Sequence, residues 1–139
     1  MKRHAALAPL SREHHHSLIL VQLLKKDAPI YKGLPQKPED KVVYALHTFK
    51  TSIEPHFKKE EVVFEKIKDC GAAIQRLIEE IITEHRELSV GFQQLAESVN
   101  MVEALDKLGR ELENHIRKEE RILFPLIQQN CPEEILKKL

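Results

Sequence analysis

Apolar residues recur along this chain at steps of three and four almost throughout, and alternation with period two is hard to find, so the pattern predicts helices from end to end. A first helix is expected from about Leu10 to Lys26, stopped by Ala28-Pro29, since a residue before proline is pushed out of the helical region. Pro29, Gly33, Pro35 and Pro38 then punctuate a ten-residue loop. A second helix opens at Pro38-Glu39-Asp40, where proline suits the first turn and acids suit the positive end of the dipole, and closes at Cys70-Gly71. Pro55 falls inside it and predicts a kink directly before His56. A third helix, about Ala72 to Glu97, connects tightly to a fourth that begins near Asn100, where Asn100-Met101-Val102-Glu103 resembles a capping box. The fourth runs toward Gln129, weakened by Pro125, and Cys131-Pro132-Glu133-Glu134 can start a short C-terminal helix. The expected fold is all-α: an antiparallel up-down-up-down four-helix bundle forming one domain over residues 1–139.

Each apolar seam carries polar intruders. The second helix presents Val42, Leu46, Phe49, Ile53, His56, Glu60, Val63 and Ile67, and the fourth presents Met101, Leu105, Leu108, Leu112, His115, Glu119, Ile122 and Leu126. The third gives Ile74, Ile78, Ile81, His85, Leu88, Phe92, Leu95 and Val99, and the first gives Leu7, Leu10, His14, Leu18 and Val21. A residue on the stripe of core leucines is buried, so four His and two Glu are expected inside the bundle. Ionised Glu60 and Glu119 are costly there without a counter-charge, which a metal ion supplies. His4, His16 and His47 fall off the stripes and are expected in solvent. His15 stays open as a substitute for His14, because about 100° of rotation per residue would exchange them, although phase favours His14.

The intruders are also written twice. His56-Phe57-Lys58-Lys59-Glu60-Glu61 and His115-Ile116-Arg117-Lys118-Glu119-Glu120 each place a Glu four residues after a His, about 40° apart around a helix. Upstream, Leu10-Ser11-Arg12-Glu13-His14 matches Ile81-Ile82-Thr83-Glu84-His85, so the chain reads as two helical hairpins of related design. Glu61 and Glu120, about 140° from their histidines, are expected at the surface beside Lys or Arg, with a supporting or substitute ligand role left open.

Charge narrows the partners. Lys and Arg number 22 against 22 Asp and Glu, which argues against nucleic acid or an anionic membrane, either of which wants a one-signed surface. No run approaches the roughly 18 apolar residues of a spanning helix, and the start of the chain does not read as a signal peptide. Cys70 and Cys131 have no zinc or redox spacing and are expected as free thiols in a reducing cytoplasm.

Imidazole and carboxylate donors without thiolates suit two iron ions, with manganese or zinc as alternatives. From Leu10 to about Gln129 the chain resembles the hemerythrin-like family, the HHE cation-binding domain. The resemblance rests on Glu13-His14, the run from Pro55-His56-Phe57 to Glu60-Glu61, Glu84-His85, and the run from His115 through Glu119-Glu120 to Leu123-Phe124-Pro125. It implies a bundle around a non-haem di-iron centre, with Glu60 and Glu119 bridging and His14, His56, His85 and His115 as terminal ligands. Oxygen carriers of that family have a paired His-x-x-x-His on the third helix, whereas His85 here has Ile81 and Ser89 at those spacings. Their last carboxylate lies five residues after its His, and here Glu119 stands at four and Glu120 at five. The implied function is therefore binding of oxygen, another small diatomic ligand or peroxide for sensing or buffering of redox, oxygen or iron status. The alternative is a di-iron enzyme acting on oxygen or peroxide. The sequence names no protein partner.

Overall fold

The computed structural model describes residues 2–139. Helix α1 is Ala8–Leu24, and it opens slightly before the expected start because Pro9 occupies the first turn, where a missing N–H leaves nothing unsatisfied. Its far end is held against the fourth helix by the Asp106 carboxylate, which accepts the Lys26 N–H at 3.0 Å. The two helices approach closely along Gly109, where an added Cβ would lie 3.0 Å from Leu24 Cβ.

Helix α2 consists of Pro38–Thr48, a π-helical turn Phe49–Ile53 and Glu54–Ile67, continued by a 3₁₀ turn Lys68–Cys70. Helix α3 is Ala72–Gln94 with a closing 3₁₀ turn Leu95–Glu97. Helix α4 repeats the design of α2: Met101–Lys118, a π-helical turn Glu119–Leu123, then Phe124–Asn130. The cap expected at Asn100 forms, its side chain accepting the Glu103 N–H at 3.2 Å. A short α5, Glu133–Leu136, follows. The four long helices make the antiparallel bundle expected from the pattern. No helix among the described residues is long and apolar enough to cross a membrane.

Both π turns end directly before a residue–proline pair, Glu54-Pro55 and Phe124-Pro125. Proline cannot donate to the carbonyl four residues back and its ring clashes there, so each helix widens by one residue, with the Glu54 N–H reaching Phe49 O and the Phe124 N–H reaching Glu119 O. The extra residue shifts the inward stripe. In α4, Ile122, expected inside, is 52% exposed, while Leu123 is fully buried. In α2 the exchange of Phe64 for the expected Val63 has another origin: Phe64 stands one regular i+4 step beyond buried Glu60, inside uninterrupted helix, and Val63 beside it is only partly buried. Val99, also expected inside, lies beyond the end of α3 in solvent. The expected kink before His56 is thus a wide turn, which leaves the seam intact.

The apolar core falls into two clusters. One is built around Leu20, Phe49, Phe92 and Leu112, the other around Leu10, Phe64, Ile81 and Phe124. The neighbours of each polar intruder along its helix belong to different clusters, as with Ile81 and Leu88 on either side of His85. The intruders therefore form a layer between two hydrocarbon blocks.

The cysteines overturn the expectation of free thiols. Cys70, just past α2, and Cys131, just past α4, are joined in a disulfide with their Cα atoms 5.2 Å apart, so they give no argument for a reducing compartment. The bond spans 61 residues of sequence, and in the chain-entropy account a loop of that length stabilises by about 4 kcal/mol. Cys131→Ser is expected to lower unfolding stability by about 2–4 kcal/mol in denaturant titrations. An unchanged midpoint in the variant, or insensitivity of the native chain to reductant, would contradict this.

Candidate metal centre

Of the groups the sequence singles out, His14, His56, Glu60, His85, His115 and Glu119 all arrive in one layer, each at most 4% exposed. His15, His16 and His47 are exposed, so of the three consecutive histidines on α1 it is His14 that the structure places in the layer. His4 departs from expectation: it is half-buried, its Nε2 lying 3.1 Å from both carboxylate oxygens of Glu133.

The inner nitrogens converge on the two carboxylates. His56 Nε2 and His85 Nε2 lie 3.3 and 3.2 Å from Glu60 Oε1. His115 Nε2 is 2.8 Å from Glu119 Oε1, and His14 Nε2 stands 3.6 Å from both Glu60 Oε2 and Glu119 Oε1. Donor atoms of Glu60, His85, His115 and Glu119 lie within 4.8 Å of one another, and so do those of His14, His56 and Glu60. Two nests for a cation result, sharing Glu60.

The outer nitrogens meet carboxylates that sequence reasoning left without a role or sent to the surface. His56 Nδ1 donates to Glu13, His85 Nδ1 to Glu61 and His115 Nδ1 to Glu84, each at 2.8 Å, and Glu120 lies 3.6 Å from His14 Nδ1. An ionised carboxylate only accepts, so these contacts hold a proton on Nδ1 and aim Nε2 at the centre, where it offers a lone pair once any second proton is lost. The supports alternate between hairpins. Glu13 and Glu84 each serve the second histidine of their own hairpin, whereas Glu61 and Glu120 cross to the other. Lys59 holds Glu13 at 2.7 Å and Lys118 holds Glu84 at 2.9 Å. The available signal was the repeat itself, since Glu-His and Glu-Glu recur in both halves. What periodicity could not show is that a Glu about 100° from its own histidine reaches a neighbour's.

Without a cation, the charges in this layer are offset only by one another. Burial and the adjacent charge of Glu60 push the Glu119 carboxyl up. Burial also opposes ionisation of Glu60, but the facing Glu119, His14, His56 and His85 hold it well below the usual carboxylate range. Burial likewise opposes a charge on His14, yet Glu119, Glu120 and Glu60 raise its pKa to about 11. His115 rises to about 9, against burial, under Glu119 and Glu84. Glu84 falls to about 2, chiefly through His115 and, against its partial burial, Lys118.

Among the described residues, every buried side-chain nitrogen or oxygen without a hydrogen-bond partner belongs to these six residues: both ring nitrogens of His14, Nε2 of the other three histidines, and all four oxygens of Glu60 and Glu119. Such atoms are rare in folded proteins because each carries its full desolvation cost. Eight of these atoms, the four Nε2 nitrogens and the four carboxylate oxygens, face one another and fit a group that accepts nitrogen and oxygen donors together, which is what a metal ion does; the ninth, His14 Nδ1, is turned outward toward Glu120. Phe57 stacks on His85 at 3.9 Å and Phe124 lies parallel to His14 at 5.9 Å, walling the layer from above and below. One groove of about 320 Å³ between α3 and α4, lined by Glu84, Glu87, Asn114 and Lys118, reaches His115 from outside.

Comparison with known proteins gives a family for the chain. No curated protein and no solved structure matches the chain. The family model described as the Hemerythrin HHE cation binding domain matches residues 5–127, a stretch that takes in all four long helices up to the last turn of α4 and every donor of the layer. With that coverage, the chain belongs to the hemerythrin HHE cation-binding family.

Proposed function

We propose that this chain is a non-haem di-iron protein that binds oxygen, another small diatomic ligand or peroxide and thereby senses or buffers redox, oxygen or iron status. His14, His56, Glu60, His85, His115 and Glu119 hold the metal in this reading. The observation that carries it is the set of eight buried, inward-facing ring nitrogens and carboxylate oxygens that have no hydrogen-bond partner. Bound iron would supply a redox-active centre with coordination positions left over for a small ligand. The chain's own residues do the rest. Glu60, central to both nests, ties the two cation positions together, and the outer carboxylates fix the tautomer and orientation of the rings. Hydrocarbon blocks pack on both sides of the layer, and the groove between α3 and α4 brings solvent-facing space up to His115.

One observation favours the enzymatic alternative. Lys118, Glu84 and His115 form a continuous hydrogen-bonded chain beside the groove, a route by which protons could reach a ligand being reduced. Catalytic loss of peroxide under the reduced protein would favour this alternative, and a stable oxygen-dependent absorption band without turnover would favour binding.

Metal analysis of anaerobically purified protein is expected to find about two irons per chain in the native sequence. His56→Ala and Glu119→Ala should lose at least half of that metal, while His16→Ala and His47→Ala retain it. Equal retention in all four variants defeats the site assignment.

Cation binding must also expel protons, because His14 and His115, raised to about 11 and about 9, carry them at neutral pH in the cation-free chain. Affinity should therefore climb with pH, by about tenfold per unit for each proton displaced. Titration calorimetry in buffers of different ionisation enthalpy reads the number directly. Without a cation the sign is opposite: raised histidine pKa values stabilise the fold below about 6.5, and that contribution fades as pH rises toward 9 and then 11. Buffer-independent heats of binding would show that no proton is displaced.

A further inference from the structure

We infer that the two cation positions are unequal and fill in order, the position among Glu60, His85, His115 and Glu119 first and the position at His14 and His56 second. The inference deepens the reading of the layer as a two-cation centre and rests on it. The first support is donor count. Glu60, His85, His115 and Glu119 bring donor atoms within 4.8 Å of one another, whereas at the other position only His14, His56 and Glu60 do so, Glu119 lying 3.6 Å from His14 but outside that mutual set.

The second support is the outer shell, and it is independent of the first. His56, His85 and His115 are each clamped at Nδ1 by a carboxylate at 2.8 Å, but His14 is not: its Nδ1 has no hydrogen-bond partner, and Glu120 stands off at 3.6 Å. Glu120 is engaged elsewhere. It accepts from Ser11 Oγ at 2.7 Å, and Arg3, which donates to the Glu120 backbone carbonyl at 2.9 Å, lies 3.6 Å from its carboxylate. The matching residue of the other hairpin, Glu61, has no such competitor, because the position equivalent to Ser11 is Ile82. His85 is further fixed by Phe57 stacked at 3.9 Å, whereas the ring beside His14, Phe124, lies at 5.9 Å. A ligand ring left free to swing must be ordered when the ion binds, and loss of an outer hydrogen bond typically weakens a metal site by roughly 10–100-fold.

The consequence is a chain that holds a single ion firmly when cation is scarce and gains the second only as supply rises. The seryl–arginyl grip on Glu120 sets the distance between those two regimes.

The test is an anaerobic titration of the cation-free full-length chain with ferrous iron, followed by calorimetry and by metal analysis after equilibrium dialysis. Two steps separated by at least about tenfold in affinity are expected. His14→Ala should remove the weaker step and leave the tighter one, and His85→Ala should remove the tighter. Ser11→Ala, which frees Glu120 to close on His14, should strengthen the weaker step and narrow the gap. Two ions taken up in one indistinguishable step, loss of the tight step in His14→Ala, or a gap that Ser11→Ala leaves unmoved would each overturn the ordering. A native chain that binds no iron at all would overturn the two-cation reading together with it, whereas two ions in one step would overturn the ordering alone.

Discussion

The whole architecture answers to the burial of two carboxylates. Glu60 and Glu119 are fully enclosed between hydrocarbon blocks, and among the described residues no lysine or arginine pairs with them. Acidic groups survive in such surroundings only with compensation, and here it comes from four imidazoles arranged around them. Each imidazole in turn needs an anchor at its second nitrogen, which accounts for the ring of outer glutamates, and two of those glutamates need lysines. The centre thus dictates residue choice outward through successive layers until solvent takes over.

That requirement also explains the divided core. A bundle of this length would ordinarily run one continuous hydrophobic seam, yet the polar layer separates Phe49, Phe92 and Leu112 from Phe64, Ile81 and Phe124. Each block is large enough to bury whole aromatic rings, and aromatic side chains face the layer from both. The hydrocarbon keeps water from satisfying the inner donors, so they stay available to an ion. The prolines near the layer are absorbed by widened turns, which keep His56 and the residues after Glu119 in contact with the core despite the lost backbone hydrogen bonds.

Much of this was legible in the sequence. The helical period located all four long helices, and the i, i+4 relation of His56 to Glu60 and of His115 to Glu119 set them on the inward stripe, since neither pair is interrupted by a widened turn. Beyond the interruption in α4 the same reasoning failed by one residue, exchanging Leu123 for Ile122, because a constant 100° step does not describe a helix that adds a residue before proline. Phe64 displaced Val63 within regular helix, where steps of three and four after Glu60 both fit the period and only packing separates them. The outer glutamates were not assignable, because Glu61 meets its histidine on a helix from the other hairpin and only the packed bundle defines that contact. The pairing of Cys70 with Cys131 was hidden for the same reason: two residues 61 apart become neighbours only where α2 and α4 end side by side.

The crossing of support between halves carries a last implication. Glu61 of the first hairpin steadies a ring of the second, and Glu120 of the second reaches toward a ring of the first, so neither hairpin contains a finished coordination sphere. Assembly of the centre therefore demands that both halves have already docked in register. A hairpin detached from its partner would present its histidines without the full set of carboxylates that orient them.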